Sequence, residues 1–306
     1  MTATPLVILG PTASGKSDVA MALAARHPEV ELIAVDAMQV YRRMDIGTAK
    51  PSMDDRIAVQ HHCLDLVDAA DEFTVTDFAV EAGKALTVIE SRNDRAVLVA
   101  GTGLYLRSVI DPMEVPGRWP EVHAELEERA ATEGVESLHR QLVELDPAAA
   151  MKMEPTNARR VVRALEVTIG SGRPFSSFGP GIDTYPTIRF QQFGLRWPRP
   201  LLTIRIAERV HRMIDGGLLA EVEALAEGPI SRTARQALGY KELLDHLDGT
   251  TTLDSAIEMI ITRTRQFAVR QERWFRRDPR IRWIDIDNDP VAEVLLVLEC
   301  AWQTLN

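Results

Sequence analysis

The chain has 306 residues, 45% apolar and 26% charged, with 35 Lys and Arg against 45 Asp and Glu for a formal charge of −10. This composition excludes a disordered chain and a fibrous repeat, and two cysteines, Cys63 and Cys300, cannot make a disulfide scaffold. No stretch nears the roughly 20 apolar residues of a membrane span, and Pro5–Leu9 is too short for a signal-peptide core, so a cytoplasmic protein is expected.

Pro5–Leu9 reads as an apolar strand, Lys16–Ala25 as a helix, and Glu31–Val35 as a second strand ending at Asp36. Val75–Ser91 reads as a helix capped by Thr74, and Arg95–Ala100 as a third strand closed by Gly101-Thr102-Gly103. Continuous apolar strands separated by helices imply an α/β fold whose parallel sheet is covered on both faces. Ligands of such sheets bind at the carboxyl ends of the strands, where Gly10, Asp36 and Thr102 fall. Between Asp111 and Pro186 the pattern changes to helices, over Glu121–Glu133, Val135–Glu144 and Asn157–Ile169, with no good strand. Asp146-Pro147 is an N-cap followed by Pro at the first helical position. Prolines and glycines cluster on either side, at Pro112–Pro120 and Gly170–Pro186. A strand, Ile188–Trp197, then returns to the sheet, followed by helices to Arg277, a strand Ile281–Ile286 and a final helix. The expected division is a core at 1–112, a helical insertion at 113–187 and the rest of the core at 188–306.

The strongest motif is Gly10-Pro11-Thr12-Ala13-Ser14-Gly15-Lys16-Ser17, which fits G-x-x-x-x-G-K-[ST] between a strand and a helix. The glycines let backbone amides converge on phosphate oxygens. The helix N-terminus adds partial positive charge, and Lys16 adds a full one. The Ser17 hydroxyl suits Mg²⁺ bridging two phosphates. The loop therefore predicts a P-loop core that holds a diphosphate or a nucleotide, ATP among them, without naming a reaction. An ATPase or GTPase carries a later strand ending in a magnesium-binding Asp, but the third strand here ends Val99-Ala100-Gly101-Thr102. The acid at a strand end near the loop is Asp36, twenty residues after Lys16. It suits a group that reaches an acceptor beside the phosphates; the plainer alternative is a cap on the turn before Ala37. His61, His62, Cys63 and Asp65 lack zinc-ligand spacing and predict no metal site.

The segment Asp36-Ala37-Met38-Gln39-Val40-Tyr41-Arg42-Arg43-Met44-Asp45-Ile46-Gly47-Thr48-Ala49-Lys50-Pro51 resembles the signature after the second strand of tRNA dimethylallyltransferases, also called tRNA isopentenylpyrophosphate transferases. The loop itself, His61–Asp65, Gly101–Tyr105, Arg160–Val167, Leu238–Glu242 and Thr264–Gln271 match the same family in order. The resemblance implies transfer of a dimethylallyl group from dimethylallyl diphosphate to N6 of an adenosine beside the anticodon of tRNA. It places the donor's diphosphate on the Gly10–Ser17 loop, makes Asp36 the proton acceptor, and sets Thr102 against the substrate nucleotide and Arg209 near the diphosphate. It also implies tRNA contacts at Asp36, Ala37, Met38 and Gln39, and at Arg159, Arg160, Val161, Val162 and Arg163. The chain departs from the pattern at Ala100, where a glycine is usual, and at His123, where an arginine is usual at a tRNA contact.

An acidic protein needs local cations to hold RNA. From Met259 to Arg282 there are eight arginines against Glu272 and Asp278. Arg263, Gln266, Arg270, Arg273 and Arg277 share one helical face, and Ile260, Phe267 and Trp274 form a second stripe expected to be core. A solvated face is the plain reading of such a stripe; its one-sided charge suits RNA, and the resemblance implies that this RNA is the anticodon stem-loop of tRNA. A monomer is expected. Two other classes remain open: a P-loop small-molecule kinase, with Asp36 holding a hydroxyl, and a non-catalytic RNA-binding module whose loop senses a nucleotide.

Overall fold

Alternating apolar strands and capped helices build one six-stranded parallel sheet in a computed structural model that describes residues 4–179, 181 and 184–304. Residues 180, 182 and 183 of the Gly170–Pro186 connector lie outside the described residues. The chain divides into two compact units, Met1–Ile110 with Thr187–Asn306, and Asp111–Pro186.

In the larger unit the strands are β1 (Leu6–Leu9), β2 (Val30–Val35), β3 (His61–His62), β4 (Arg95–Ala100), β5 (Gln191–Arg196) and β6 (Ile281–Asp285). Its helices before the insertion are α1 (Lys16–Arg26), α2 (Met53–Ala58), α3 (Val75–Ser91) and α4 (Gly103–Ile110). The smaller unit holds α5 (Pro120–Thr132), α6 (Val135–Leu145), α7 (Pro147–Ala150) and α8 (Ala158–Ser171). The larger unit resumes with α9 (Arg199–Asp215), α10 (Leu218–Ala226), α11 (Arg232–Arg235), α12 (Tyr240–Leu247), α13 (Leu253–Phe275) and α14 (Pro290–Thr304).

The strand order is β3-β2-β4-β1-β5-β6, with Leu6 of β1 in register with Val97 on one side and Gln191 on the other. Alternation along β1 sends Val7 and Leu9 to one core and Leu6 and Ile8 to the other, so both faces are covered. Because β1 lies between β4 and β5, the carboxyl ends of β1, β4 and β2 open into one crevice, the position at which α/β sheets bind ligands.

Local chemistry explains where elements start. Thr74 caps α3 by accepting from the Asp77 amide, and Asp77 returns the bond to the Thr74 amide, a reciprocal capping box. Three elements lie where the sequence pattern showed none. Ser52 opens the short α2 with a capping box to Asp55. His61–His62 pairs with β2 as an edge strand, and the His62 Nε2 lies 2.6 Å from the Glu31 carboxylate. Gly103, expected to close β4, instead begins α4. The returning strand is also shorter than Ile188–Trp197, since pairing starts at Gln191.

The smaller unit packs Leu126, Leu138, Leu142, Val161, Val162 and Leu165 into its own core. Glu166 is buried there and accepts from the Trp119 amide at 2.9 Å and from Arg163 at 2.8 Å, with His123 Nδ1 at 3.0 Å. Burial pushes this carboxyl up, but those three partners hold it below the usual range. Gly170 lets the Trp119 ring lie against α8, since a Cβ there would come within 2.2 Å of it.

Candidate active site

Leaving β1, the chain turns through Gly10–Ser17 into α1. Ala13 and Gly15 are left-handed, at φ 63° and 85°, which curls the loop around the helix start. Gly15 is the N-cap and offers no side-chain cap, so the first-turn N–H groups of α1 are left for an anion. Gly10 is required for close packing, because a Cβ would sit 2.8 Å from Ser14 Oγ and 3.1 Å from the Leu195 carbonyl. The loop is braced from outside: Trp197 Nε1 donates to the Ser14 carbonyl at 3.0 Å, and Arg205 Nε to the Ala13 carbonyl at 3.0 Å. Arg205 also stacks 4.3 Å over the Trp197 ring.

The loop opens into a cavity of about 680 Å³, lined also by Asp36, Gln39, Gly101, Arg209, Arg212 and Gln271. Asp36 uses Oδ1 on its own turn, accepting from the Met38 amide at 2.8 Å and the Gln39 amide at 3.4 Å. Its other oxygen faces the strand end of β4. A Cβ on Gly101 would lie 3.5 Å from Asp36 Oδ2, 3.6 Å from Lys16 Cε and 3.4 Å from Gln271 Nε2, so these three groups meet over one backbone position. The turn cap and the acceptor-facing carboxylate are therefore two ends of one side chain.

Lys16 and Arg209 bring two cations together here, beside the carboxylates of Asp36 and Asp18. Burial, and then the nearby Arg209, lower Lys16 to about 8, against the pull of Asp36 and Asp18. Burial also lowers Arg209 from the usual guanidinium range, with Arg212 adding to the effect and Asp36 opposing it. Buried cations that repel one another are relieved by an incoming anion.

One cavity wall is the Asp36–Pro51 segment. Gln39 Nε2 donates to the carbonyls of Thr48 at 3.0 Å and Ala49 at 3.3 Å. Lys50 buries its ammonium between the Tyr41 carbonyl at 2.5 Å, Asp45 at 2.7 Å and Asp65 at 2.6 Å. From α10, Glu221 gathers the amides of Asp45 at 2.9 Å, Ile46 at 2.8 Å and Gly47 at 3.2 Å, and accepts from the Tyr240 hydroxyl at 2.5 Å. Gly47 has room for no side chain, since a Cβ would meet Tyr240 Cε2 at 2.4 Å. Burial first, then Glu221, push the Tyr240 phenol above its ordinary range, which keeps it a donor. The segment is thus held as a rigid wall by contacts across the sequence.

The expected site residues fall into several places. Asp36, Gln39, Arg209 and Thr12 to Ser17 share the cavity. Gly10 and Pro11 support it from beneath, and Thr102 starts α4 by accepting from the Leu106 amide. Met38 packs partly into the core. In the smaller unit Arg159 and Arg160 are exposed. Val161 and Val162, at 0% and 3% exposure, turn into the core and present no side chain to RNA. Arg163 is engaged by Glu166 and by the carbonyls of Pro116 and Gly117, and His123 sits between Glu166 and Glu127. Arg270 and Arg273 on α13, and Arg277 just past its end, are exposed, while Arg263 pairs with the buried Glu242. Phe267, expected in the core, is half-buried and lines the cavity. Sequence reasoning missed Arg205 and Arg212, although their i, i+7 spacing around Arg209 is a basic stripe on α9. It also missed Glu221, Tyr240 and Gln271 as parts of the site, because each acts through a distant segment.

Comparison with known proteins matches residues 39–278 to the IPP transferase family and residues 4–66 to an isopentenyl transferase family. A tRNA dimethylallyltransferase of Kineococcus radiotolerans is 46% identical over 96% of each chain. That of Paenarthrobacter aurescens is 48% identical, over 91% of this chain and 90% of its own. Among solved structures, the tRNA isopentenylpyrophosphate transferase of Bacillus halodurans aligns with a TM-score of 0.69 at 36% identity, covering 98% of this chain and 97% of its own. A eukaryotic dimethylallyltransferase captured acting on tRNA aligns with a TM-score of 0.76 at 27% identity, covering 92% of this chain and 73% of its own.

Proposed function

The chain belongs to the IPP transferase family, and on that premise we propose that it transfers a dimethylallyl group from dimethylallyl diphosphate to N6 of the adenosine adjacent to the anticodon in tRNA. The carrying observation is one cavity that holds the phosphate loop, the cations Lys16 and Arg209, and the Asp36 carboxylate, whose Oδ2 meets Lys16 over Gly101. The diphosphate of the donor lies on the loop amides and Lys16. N6 attacks the allylic carbon, the C–N bond forms as the C–O bond to diphosphate breaks, and Asp36 Oδ2 accepts the N6 proton. An aromatic amine is a weak nucleophile, so this proton removal matters most as the new bond forms. The charge that develops on the leaving diphosphate is met by Lys16, Arg209 and the amides of the α1 start. Met21, Val99, Met213 and Phe267 line the cavity and suit the five-carbon group.

The residues at the loop suit Mg²⁺. Ser17 is exposed at the helix start beside Asp18, a hard-oxygen set of the kind that holds Mg²⁺ mainly through substrate phosphates. Ser17 would ligate the ion, which when bound offsets charge on the diphosphate. Among the described residues, no group of three His, Cys, Asp or Glu side chains is placed to hold a metal ion. Arg159, Arg160, Arg270, Arg273 and Arg277 supply exposed cations for the anticodon stem-loop, with Thr102, Ala37 and Gln39 nearer the base. On this reading the chain acts as a monomer, and the tRNA substrate implies a cytoplasmic setting. Among the described residues, no helix is long and apolar enough to cross a membrane.

The test is incubation with unmodified tRNA, dimethylallyl diphosphate and Mg²⁺. One prenyl group per acceptor tRNA at adenosine N6, with release of diphosphate, is the expected result. Transfer of the γ-phosphate of ATP to a small alcohol, with no prenyl transfer, would overturn it in favour of the kinase reading.

A further inference from the structure

Gln271 on α13 is 7% exposed and reaches the phosphate loop from across the cavity. Its Oε1 accepts from the Thr12 amide at 2.9 Å, and its Nε2 donates to the Gly101 carbonyl at 2.7 Å. The two partners fix the direction of the amide, because reversing it would set N–H against N–H and oxygen against oxygen. An acceptor oxygen is thereby stationed on the limb of the loop that precedes α1.

We propose that Gln271 sets the number of phosphates the loop accepts, admitting a diphosphate and rejecting a triphosphate. The inference rests on the reading of the loop as the donor's diphosphate site. In loops of this motif the backbone N–H groups cradle the phosphate chain and the lysine reaches its far end. Here the start of α1 keeps its first-turn amides for an anion, and Lys16 Nζ, donating to the Pro11 carbonyl at 3.1 Å, lines the same cavity. The Thr12 amide lies four residues before Lys16, on the limb that a longer phosphate chain would run against, and it is already occupied by Gln271. A phosphate oxygen cannot share that donor with the amide oxygen, and the two oxygens repel. The adjoining backbone is committed as well, since Arg205 takes the Ala13 carbonyl and Ser14 N donates to the Pro11 carbonyl at 3.3 Å. The loop thus keeps the phosphate grip of its motif at the helix end and closes it at the other. This would let the enzyme use a diphosphate donor in the presence of nucleoside triphosphates.

The experiment measures inhibition of prenyl transfer by inorganic diphosphate, inorganic triphosphate and ATP, each against varied dimethylallyl diphosphate, with Mg²⁺ in excess over total phosphate. The original chain is expected to bind diphosphate more tightly than triphosphate. Gln271→Met keeps the volume but removes the acceptor, and should shift the ratio of the two inhibition constants by about tenfold towards triphosphate. Gln271→Glu keeps an oxygen on Thr12, and its ratio should remain at or beyond that of the original chain. An unchanged ratio in Gln271→Met, or a ratio shifted towards triphosphate in Gln271→Glu, overturns the inference; should Gln271→Met fail to fold, the Glu variant decides alone. Failure of diphosphate to compete with the donor in the original chain would instead overturn the placement of the donor on the loop.

Discussion

Arg205, Arg209 and Arg212 on α9, and Arg263, Arg270 and Arg273 on α13 with Arg277 just past its end, are two arginine stripes at closely similar helical spacing within one unit. Their surroundings differ. Arg205 and Arg209 are half-buried against the phosphate loop, one bonded to the Ala13 carbonyl and the other perturbed by burial beside Lys16. Arg270, Arg273 and Arg277 are exposed, and the first and last lie over the rings of Phe267 and Trp274, at 5.8 and 5.6 Å. What a helix packs against thus decides what its arginines do. Cations held in a low-dielectric cavity act strongly on charge that appears at one place, and salt screens them little. Exposed cations act on a polyanion at a distance and weaken as salt rises.

The contrast is broken most severely by removing the Asp36 carboxylate, which shares the cavity with the α9 cations. Asp36→Asn keeps an oxygen for the Met38 and Gln39 amides, so the turn should survive, while turnover should fall by roughly 10²–10⁴. Single-turnover prenyl transfer at saturating tRNA measures this, and turnover within threefold of the original would exclude Asp36 as the proton acceptor. A smaller loss is expected on the α9 side itself. Arg209→Gln should lower kcat/KM for the donor by about 10²-fold, leave tRNA affinity unchanged, and show that loss equally at low and high salt. A loss that vanishes at high salt would place Arg209 with the α13 class.

Much of this contrast was hidden in the sequence, for a physical reason. The phosphate loop and Asp36 were legible because each is a local pattern at the end of a buried strand. The Thr74 cap was legible too, since its partner Asp77 lies three residues on. Gln271 meets Thr12 across 259 positions, and Glu221 meets Gly47 across 174, distances at which no periodicity carries information. Phe267 sits on an apolar stripe like any core residue, and only the packing of α13 shows that it borders a cavity. The α9 stripe was open to view, but spacing alone cannot distinguish a helix face turned to a cavity from one turned to solvent. Arg163 makes the same point in the smaller unit, where two carbonyls and Glu166 occupy a guanidinium that looked available for phosphate.

The buried side of the comparison also predicts a pH effect. Lys16 is lowered to about 8 by burial and by Arg209, so the free enzyme loses this positive charge as pH rises through that value. Diphosphate binding favours the charged form, so its competition with the donor should be strongest below pH 8 and weaken above it. Arg209→Gln removes a repulsive neighbour, and its break point should move to higher pH. A titration of diphosphate inhibition from pH 6.5 to about 9.5 in both proteins reads the shift, and a break that stays in place would show that the two cations do not sense each other.

The smallest effect belongs to the exposed stripe, and its form matters more than its size. Each exposed arginine that neutralises a phosphate releases counterion, so log affinity for tRNA falls with log salt by about 0.7 per contact on a single-stranded loop. Replacing Arg270 and Arg273 together by alanine should therefore flatten the slope by roughly 1 to 1.5 units. Both side chains are exposed on α13, whereas their neighbour Gln271 faces inward to the loop. Affinity should thus drop at low salt and converge with the original chain at high salt, while turnover at saturating tRNA changes little. The α9 variant should show the reverse on both axes, a salt-independent loss in donor use at constant tRNA affinity. Filter-binding titrations of the double variant at four or more salt concentrations measure the slope, and a parallel line would mean that these arginines only solvate the helix.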